Sequence, residues 1–365
     1  MSSNEKKTKG EYYTHCFVAH GRASRVATES ERMNSLLRVC AVLASLVAQA
    51  LCAVCPICGA NSSSFVHHRH DLRGCSVHKC NACGIFFTAD LPSEAEVIHR
   101  LYDKTTMKSQ PRTTWNHQVP MVPTSFVGRR SINLVDVIAK HLPADFKQRG
   151  ARVVDVGCGD GEVLRAFRLR WPDVRLTCLE PDPGAVRYVQ NVQLADVPAE
   201  RLRVVQGIDV ASLGNEGADL LVASHVLEHV VEPHSWVNRL ITKLRPGGIL
   251  FLEVPWQAPV TPTHQMGGYG HLLAFNQSTA TTLLTRWHSQ QLRLLHAGTY
   301  DFETADHEWS TLPTSSPRDW PMQAMLRERY QRVTVPGVPI HNQIRLLAQK
   351  RERPAGSKRQ HHYNR

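Results

Sequence analysis

Two apolar periods alternate along this chain. Short strand-like runs recur at Val153-Val154-Asp155-Val156, 175–179, 203–206, 219–223, 249–254 and 292–300, and a last one spans Ile344 to Ala348. Between them the apolar positions move to helical spacing, at 162 up to Pro172, at 233–244 and at 277–287. Upstream, Phe126, Ile132, Leu134, Val135, Val137 and Ile138 keep helical spacing across 125–142, and Ser93-x-x-Glu96 opens a shorter helix as a capping box. Strands alternating with helices predict an α/β fold built on a doubly wound parallel sheet.

The N-terminal third departs from this rhythm. Residues 1 to about 35 are polar and aperiodic, whereas Val39 to Val54 is broken only by Ser45 and Gln49. That run is shorter than the roughly 18–20 apolar residues a membrane-spanning helix needs, so it reads as an apolar helix packed on the body. The minority alternative is export or anchoring through residues 33–54, with Met33 to Arg38 as a basic leader segment. Residues 105–124 are polar and proline-punctuated, a linker or lid, and 301–339 form an insertion rich in Pro, Arg and Trp.

Charge narrows the partners without naming them. The 365 residues carry a net charge of +11, which favours acidic partners in general, RNA among them. Part of the excess sits in the tail from Lys350, where six Lys/Arg face one acidic residue, Glu352, and a solvated end is expected from 351 to 365. Among the ten cysteines, Cys158 and Cys178 fall in the predicted α/β body with no evident disulfide partner, which points to a reducing, cytoplasmic setting. Cys55-Pro-Ile-Cys58-Gly and Cys80-Asn-Ala-Cys83-Gly are two C-x-x-C-G knuckles. Four thiolates on two tight turns suit a closed, tetrahedral, structural Zn²⁺.

The most informative stretch is Asp155-Val-Gly157-Cys158-Gly159-Asp-Gly161. It places a glycine turn between a buried strand and a helix start, where backbone N–H groups can approach a nucleotide-like ligand. An acidic residue inside the strand disfavours a pyrophosphate and suits a cation. About 20 residues on, after the next strand, Glu180-Pro181-Asp182 stands at the distance from which a carboxylate reaches a ribose diol.

These residues resemble motif I of the class I S-adenosylmethionine (SAM)-dependent methyltransferases. Ala218-Asp-Leu-Leu with Ser224-His225-Val-Leu-Glu228-His229-Val, and Leu244-Arg-Pro-Gly-Gly248 before Leu250-Phe-Leu-Glu-Val254, look like the family's later motifs. The likeness implies a seven-stranded Rossmann-like sheet over 146–350. It further implies that Gly157, Cys158, Gly159 and Gly161 shape the cofactor turn, that Asp155 faces the methionine end, and that Glu180, with Pro181 and Asp182, holds the ribose. Asp209 would reach the adenine, and Ser224 and His225 would lie beside cofactor and acceptor. The knuckles at 55–90, followed by a helical linker over 91–145, are similar to a subgroup of type 11/23 methyltransferase domains preceded by a zinc ribbon, some of which are sugar C-methyltransferases. In those the loop after Pro255 carries a Tyr-x-Glu-His set; here His271 aligns, Gly270 replaces the Glu, and Tyr269 lies beside them.

The resulting expectation is methyl transfer to a small hydroxylated or sugar-like acceptor, with His225, His271 and Tyr269 as catalytic candidates, and with no clear membrane partner. One alternative is a 2′-O RNA methyltransferase. Small-RNA enzymes of that type are similar over this stretch, and the likeness implies metal assistance through Glu228, His229 and His271, with His225 where their first Glu stands. Another is a SAM-binding regulatory protein without turnover.

Overall fold

The computed structural model describes residues 53–69, 72, 74–97, 126–146, 150–214, 217–256, 270–300 and 343–352. The apolar run up to residue 52, the 105–124 segment, Tyr269, the 301–339 insertion and the basic tail from 353 lie outside the described residues. Three short strands come first, β1 (Ser63–His68), β2 (Ser76–Cys80) and β3 (Phe86–Ala89), then helix α1 (Phe126–Ala139). The body continues as β4 (Arg152–Val156), α2 (Glu162–Arg170), β5 (Arg175–Glu180), α3 (Pro183–Tyr188), β6 (Leu202–Gln206), β7 (Ala218–Ser224), α4 (Pro233–Lys243) and β8 (Leu244–Pro255). It closes with the two-residue β9 (Leu273–Ala274), α5 (Gln277–Thr282), β10 (Leu292–Tyr300) and β11 (Gln343–Lys350).

Seven strands form one sheet in the order β10-β11-β8-β7-β4-β5-β6. Strands β4 to β8 pair in parallel, and β11 lies antiparallel between β8 and β10. β4, β7 and β8 read as continuous apolar runs because both faces are covered: Val153, Leu220, Val222 and Phe251 join one buried cluster, and Val154, Leu221, Leu250 and Leu252 the other. The chain lays down β5 and β6 on one side of β4 and then crosses to β7 and β8 on the other. A crevice therefore opens at the carboxyl ends of β4 and β7, the place where open α/β sheets bind ligands.

Two boundaries differ from the pattern. The Arg245-Pro-Gly-Gly248 turn is part of β8, because Leu244 pairs with Ala218 before the register slips, and Gly248 is crowded enough that a Cβ would meet the Ala218 carbonyl oxygen at 2.8 Å. Helix 277–287 ends at Thr282 and continues as a π-helical turn, Leu283–Trp287. Thr281 and Thr285 there bond back to the carbonyls of Gln277 and Thr281, a habit that bends helices.

The smaller sheet has the order β1-β2-β3-β9. Its last strand comes from the body: Phe86 pairs with Ala274 and Phe87 with Leu273. The Thr88 N–H donates to the Leu272 carbonyl at 2.8 Å, and a ring nitrogen of His234 on α4 meets the carbonyl of Ile57, between the knuckle cysteines, at 3.0 Å.

Candidate functional site

The glycine turn follows β4 directly. Gly157 has φ +73°, and a Cβ there would meet Val226 Cγ2 at 2.5 Å, so only glycine fits the pass. Gly161, at φ +78°, is the residue before α2. The turn is docked on β5: Gly157 N–H and Cys158 N–H both donate to the Leu179 carbonyl, and Gly159 N–H donates to Glu180 Oε2 at 2.9 Å. Glu180 Oε1 accepts from Asp182 N–H, also at 2.9 Å. Both Asp155 and Glu180 are buried. Burial, the nearby Glu180 and Asp160 push the Asp155 carboxyl up to about 8 against the pull of Arg130. Glu162, at the start of α2, is likewise raised to about 8 by burial and by Asp160.

The other predicted cofactor residues are placed less centrally. Asp182 caps α3, its Oδ1 accepting from Gly184 and Ala185 N–H. Asp209 is exposed and caps the short turn Val210–Leu213 by accepting from Ala211 N–H. Cys158 corrects the reading that it lacks a disulfide partner, because it is bonded to Cys178. The reason is register. Asp155 of β4 lies opposite Cys178 of β5, so the turn folding back over β5 brings Cys158 onto it, Cα to Cα 5.5 Å.

At the ends of β7 and β8 lies a polar network that the pattern did not reveal. Glu253, fully buried, pairs with Arg130 from α1 and with Arg345 from β11. Its burial favours the neutral acid, yet the two guanidinium groups outweigh that and hold it well below the usual carboxylate range. Ser224 spends its hydroxyl here, donating to Glu253 Oε1 at 2.9 Å and accepting from Arg130 at 2.6 Å. Arg130 is thus part of the site. A charged residue inside each of two apolar runs, Glu253 in 249–254 and Arg345 in 344–348, is the signal in the sequence that could have pointed to such a pair.

His225 adjoins this network in a left-handed conformation, φ +57°. Its Nδ1 is 3.2 Å from Glu228 Oε1 and its Nε2 3.5 Å from Glu253 Oε1. Burial and Arg130 oppose its charge, but the two carboxylates prevail and its pKa is raised. His271 goes the other way: burial lowers it to about 4 despite Glu228.

Glu228, His229 and His271 converge with ligand atoms within 4.8 Å of one another. Glu228 is fully buried, and neither of its oxygens accepts a hydrogen bond of proper geometry. It stays a carboxylate, lowered to about 2, because the neighbouring histidines, His225 first, overcome its burial. His229 Nδ1 donates to the Gly270 carbonyl at 3.2 Å, and its Nε2 faces Glu228 at 4.0 Å. A buried carboxylate with two imidazoles is a donor set that suits a transition-metal ion.

Cys55, Cys58, Cys80 and Cys83 also converge. Sγ separations of 3.7 Å (Cys55 to Cys83) and 3.5 Å (Cys58 to Cys80) approach the edge of about 3.8 Å of a tetrahedron with metal–sulfur bonds of about 2.3 Å. Cys83 N–H points at Cys80 Sγ, 3.5 Å away, and Gly59 and Gly84 take the positive φ that the knuckles demand. The four residues fit a structural zinc.

Residues 128–307 match the model of a family described as a methyltransferase domain. With the sheet order and the turn at β4, this defines the segment as a class I, SAM-dependent methyltransferase domain. Among curated relatives, a trans-aconitate 2-methyltransferase from Methylobacterium nodulans is 36% identical over 106 residues, 29% of this chain and 38% of the relative. A thiol S-methyltransferase from Homo sapiens is 30% identical over 112 residues, 30% of this chain and 43% of the relative. The chain thus spans about two fifths of the length of these relatives. A plantazolicin methyltransferase crystallised in complex with a triazolic desmethylPZN analog and SAH overlaps 71% of this chain and 98% of its own, at 15% identity and a TM-score of 0.45. Among the described residues, no helix is long and apolar enough to cross a membrane.

Proposed function

We propose that the chain is a SAM-dependent methyltransferase that methylates a small hydroxylated or sugar-like acceptor and carries a structural zinc in its Cys55/Cys58/Cys80/Cys83 knuckles. The observation that carries the reading is the docking of the glycine turn on Glu180 at the sheet's switch point, with Asp155 buried beside it. When bound, SAM supplies an electrophilic methyl group. Asp155 would accept the methionine amino end, the glycine turn would line the cofactor with its backbone, and Glu180 would orient the ribose hydroxyls. His271, neutral above about pH 4, is the group able to accept a proton from an acceptor hydroxyl. His225, whose pKa is raised by Glu228 and Glu253, would orient the acceptor as a donor instead.

A second reading is metal-assisted transfer, for instance to a ribose 2′-hydroxyl of RNA. The buried carboxylate of Glu228, whose oxygens accept no hydrogen bond of proper geometry and which faces His229 and His271, favours it. A third, SAM binding without turnover, rests on Gly270 standing where related enzymes place a Glu. All three fit a cytoplasmic protein, where SAM is made.

A labelled-SAM assay against hydroxylated small molecules and RNA separates them. The first reading expects His271→Gln to lower kcat by about 10²-fold or more while SAH affinity is unchanged. A His271→Gln enzyme with full kcat contradicts it. Loss of turnover on chelation with recovery on adding Mn²⁺ or Co²⁺, and a steep salt dependence, would favour the second.

A further inference from the structure

We propose that the Cys158–Cys178 pair is a reversible thiol–disulfide modification site that sets the affinity of the cofactor turn. The inference rests on the SAM reading of that turn and goes beyond it by assigning the turn a redox partner, a low-molecular-weight thiol/disulfide couple such as glutathione.

The placement carries the argument. Cys158 lies between Gly157 and Gly159, and Cys178 lies two residues before Glu180, on the strand that receives the turn. The bond therefore spans the same gap as the three hydrogen bonds that seat the turn, from Gly157 and Cys158 to Leu179 and from Gly159 to Glu180. It also closes the loop that contains α2. Each of those hydrogen bonds is individually weak, whereas the covalent tie holds the turn without regard to them. Surroundings leave little slack. A Cβ on Gly157 would meet Val226 at 2.5 Å, one on Gly161 would meet Val189 at 3.1 Å, and both sulfurs lie in a buried apolar cluster with Val163, Leu164 and Phe167. Two thiols occupy more room than one bonded pair, so on reduction the turn itself must shift, and with it the Gly159 N–H that Glu180 holds.

The chemistry is an ordinary exchange. A thiolate attacks Cys158 Sγ, since Cys158 is 7% exposed and Cys178 0%. The bond to Cys178 breaks, and the Cys178 thiolate leaves and takes a proton. A second thiol then attacks the reductant's sulfur in the mixed disulfide, releasing Cys158 as a thiol and one molecule of the reductant's disulfide. Two electrons and two protons enter the protein, and oxidised glutathione reverses both steps. A loosened turn binds SAM less well, and by linkage bound SAM protects the disulfide by the same factor.

The test is calorimetric titration of zinc-loaded full-length protein with SAH, oxidised, reduced with glutathione, and reoxidised, with the thiol count followed by mass spectrometry. Cys178→Ala is carried through the same cycle. We expect SAH affinity to fall about tenfold on reduction, to return on reoxidation, and in Cys178→Ala to stay at the reduced value throughout. The glutathione ratio at which the bond is half reduced should shift by the same tenfold when SAH saturates the protein. Equal affinity in both redox states overturns the inference, as does a redox response that survives in Cys178→Ala with no glutathione adduct on Cys158, which would trace it to cysteines outside the pair. Failure of SAH to bind in either state would instead sink the SAM reading. Hydrogen exchange at residues 156–162 still decides the redox claim in that case: faster exchange on reduction supports the tie, and unchanged exchange overturns it.

Discussion

At the scale of single residues, the site is governed by carboxyl groups whose surroundings push them in opposite directions. Asp155 and Glu162, buried near other acids, are raised to about 8, whereas Glu228, among histidines, is lowered to about 2. A carboxyl raised in the folded state above its ordinary value near 4 adds stability at low pH that is lost as the pH climbs from about 4 through 8. The cofactor-free protein should therefore melt at progressively lower temperature between pH 5 and pH 8, and Glu162→Gln should flatten that slope in a calorimetric scan. An unchanged slope in the variant would count against the assignment. Titration with SAH at pH 7 should release close to one proton, from Asp155, read as the dependence of the binding heat on buffer ionisation enthalpy. Much of this was legible: an acid inside a buried strand two residues before a glycine, and another at the end of the next strand, are unusual enough to announce a site. Cys158–Cys178 was not, because their pairing depends on which residue of β5 faces which of β4, and a one-dimensional spacing of 20 residues does not reveal register.

Elements show the same division. Strands and helices of the body follow from apolar period and from Gly and Pro punctuation, and most of their limits stand close to the expected ones. The ribbon's knuckles were equally plain. Its seat on the body was hidden, because β9 is two residues long and no period can announce so short a strand. That seat makes the proposed zinc site matter beyond the strands that carry it. The cysteine knuckles anchor β1 to β3, β3 holds Leu273–Ala274, and those residues begin two positions after His271. Cys80→Ser, or zinc removal by a strong chelator, should lower the melting temperature and also speed hydrogen exchange across 270–275. Exchange confined to 55–90 would show that the cysteine knuckles and the 270–275 segment are independent. Glu253 and Arg345 lie on adjacent strands within hydrogen-bonding reach, and removing one partner of such a fully buried pair costs about 3–5 kcal/mol. Arg345→Met should accordingly lower stability in urea unfolding far more than a surface Arg substitution, such as Arg201→Met, does.

For the whole molecule, the functional logic lies in the order of strands. Alternating strands and helices predict a doubly wound sheet, and the reversal between β4 and β7 brings together segments remote in sequence: the glycine turn, His225 after β7, Glu253 on β8 and Arg345 on β11. The seven-strand order came through resemblance to a family rather than from periodicity, since an apolar run such as 344–348 carries no mark of strand direction. The central claim is that this crevice binds SAM through Asp155 and Glu180. It is tested most directly by calorimetric titration of the folded, zinc-loaded protein, and of its Asp155→Asn and Glu180→Ala variants, with SAH. Micromolar binding by the parent protein, weakened at least about tenfold in each variant, is the result the account predicts. No binding by the folded parent, or equal binding by all three, would contradict it.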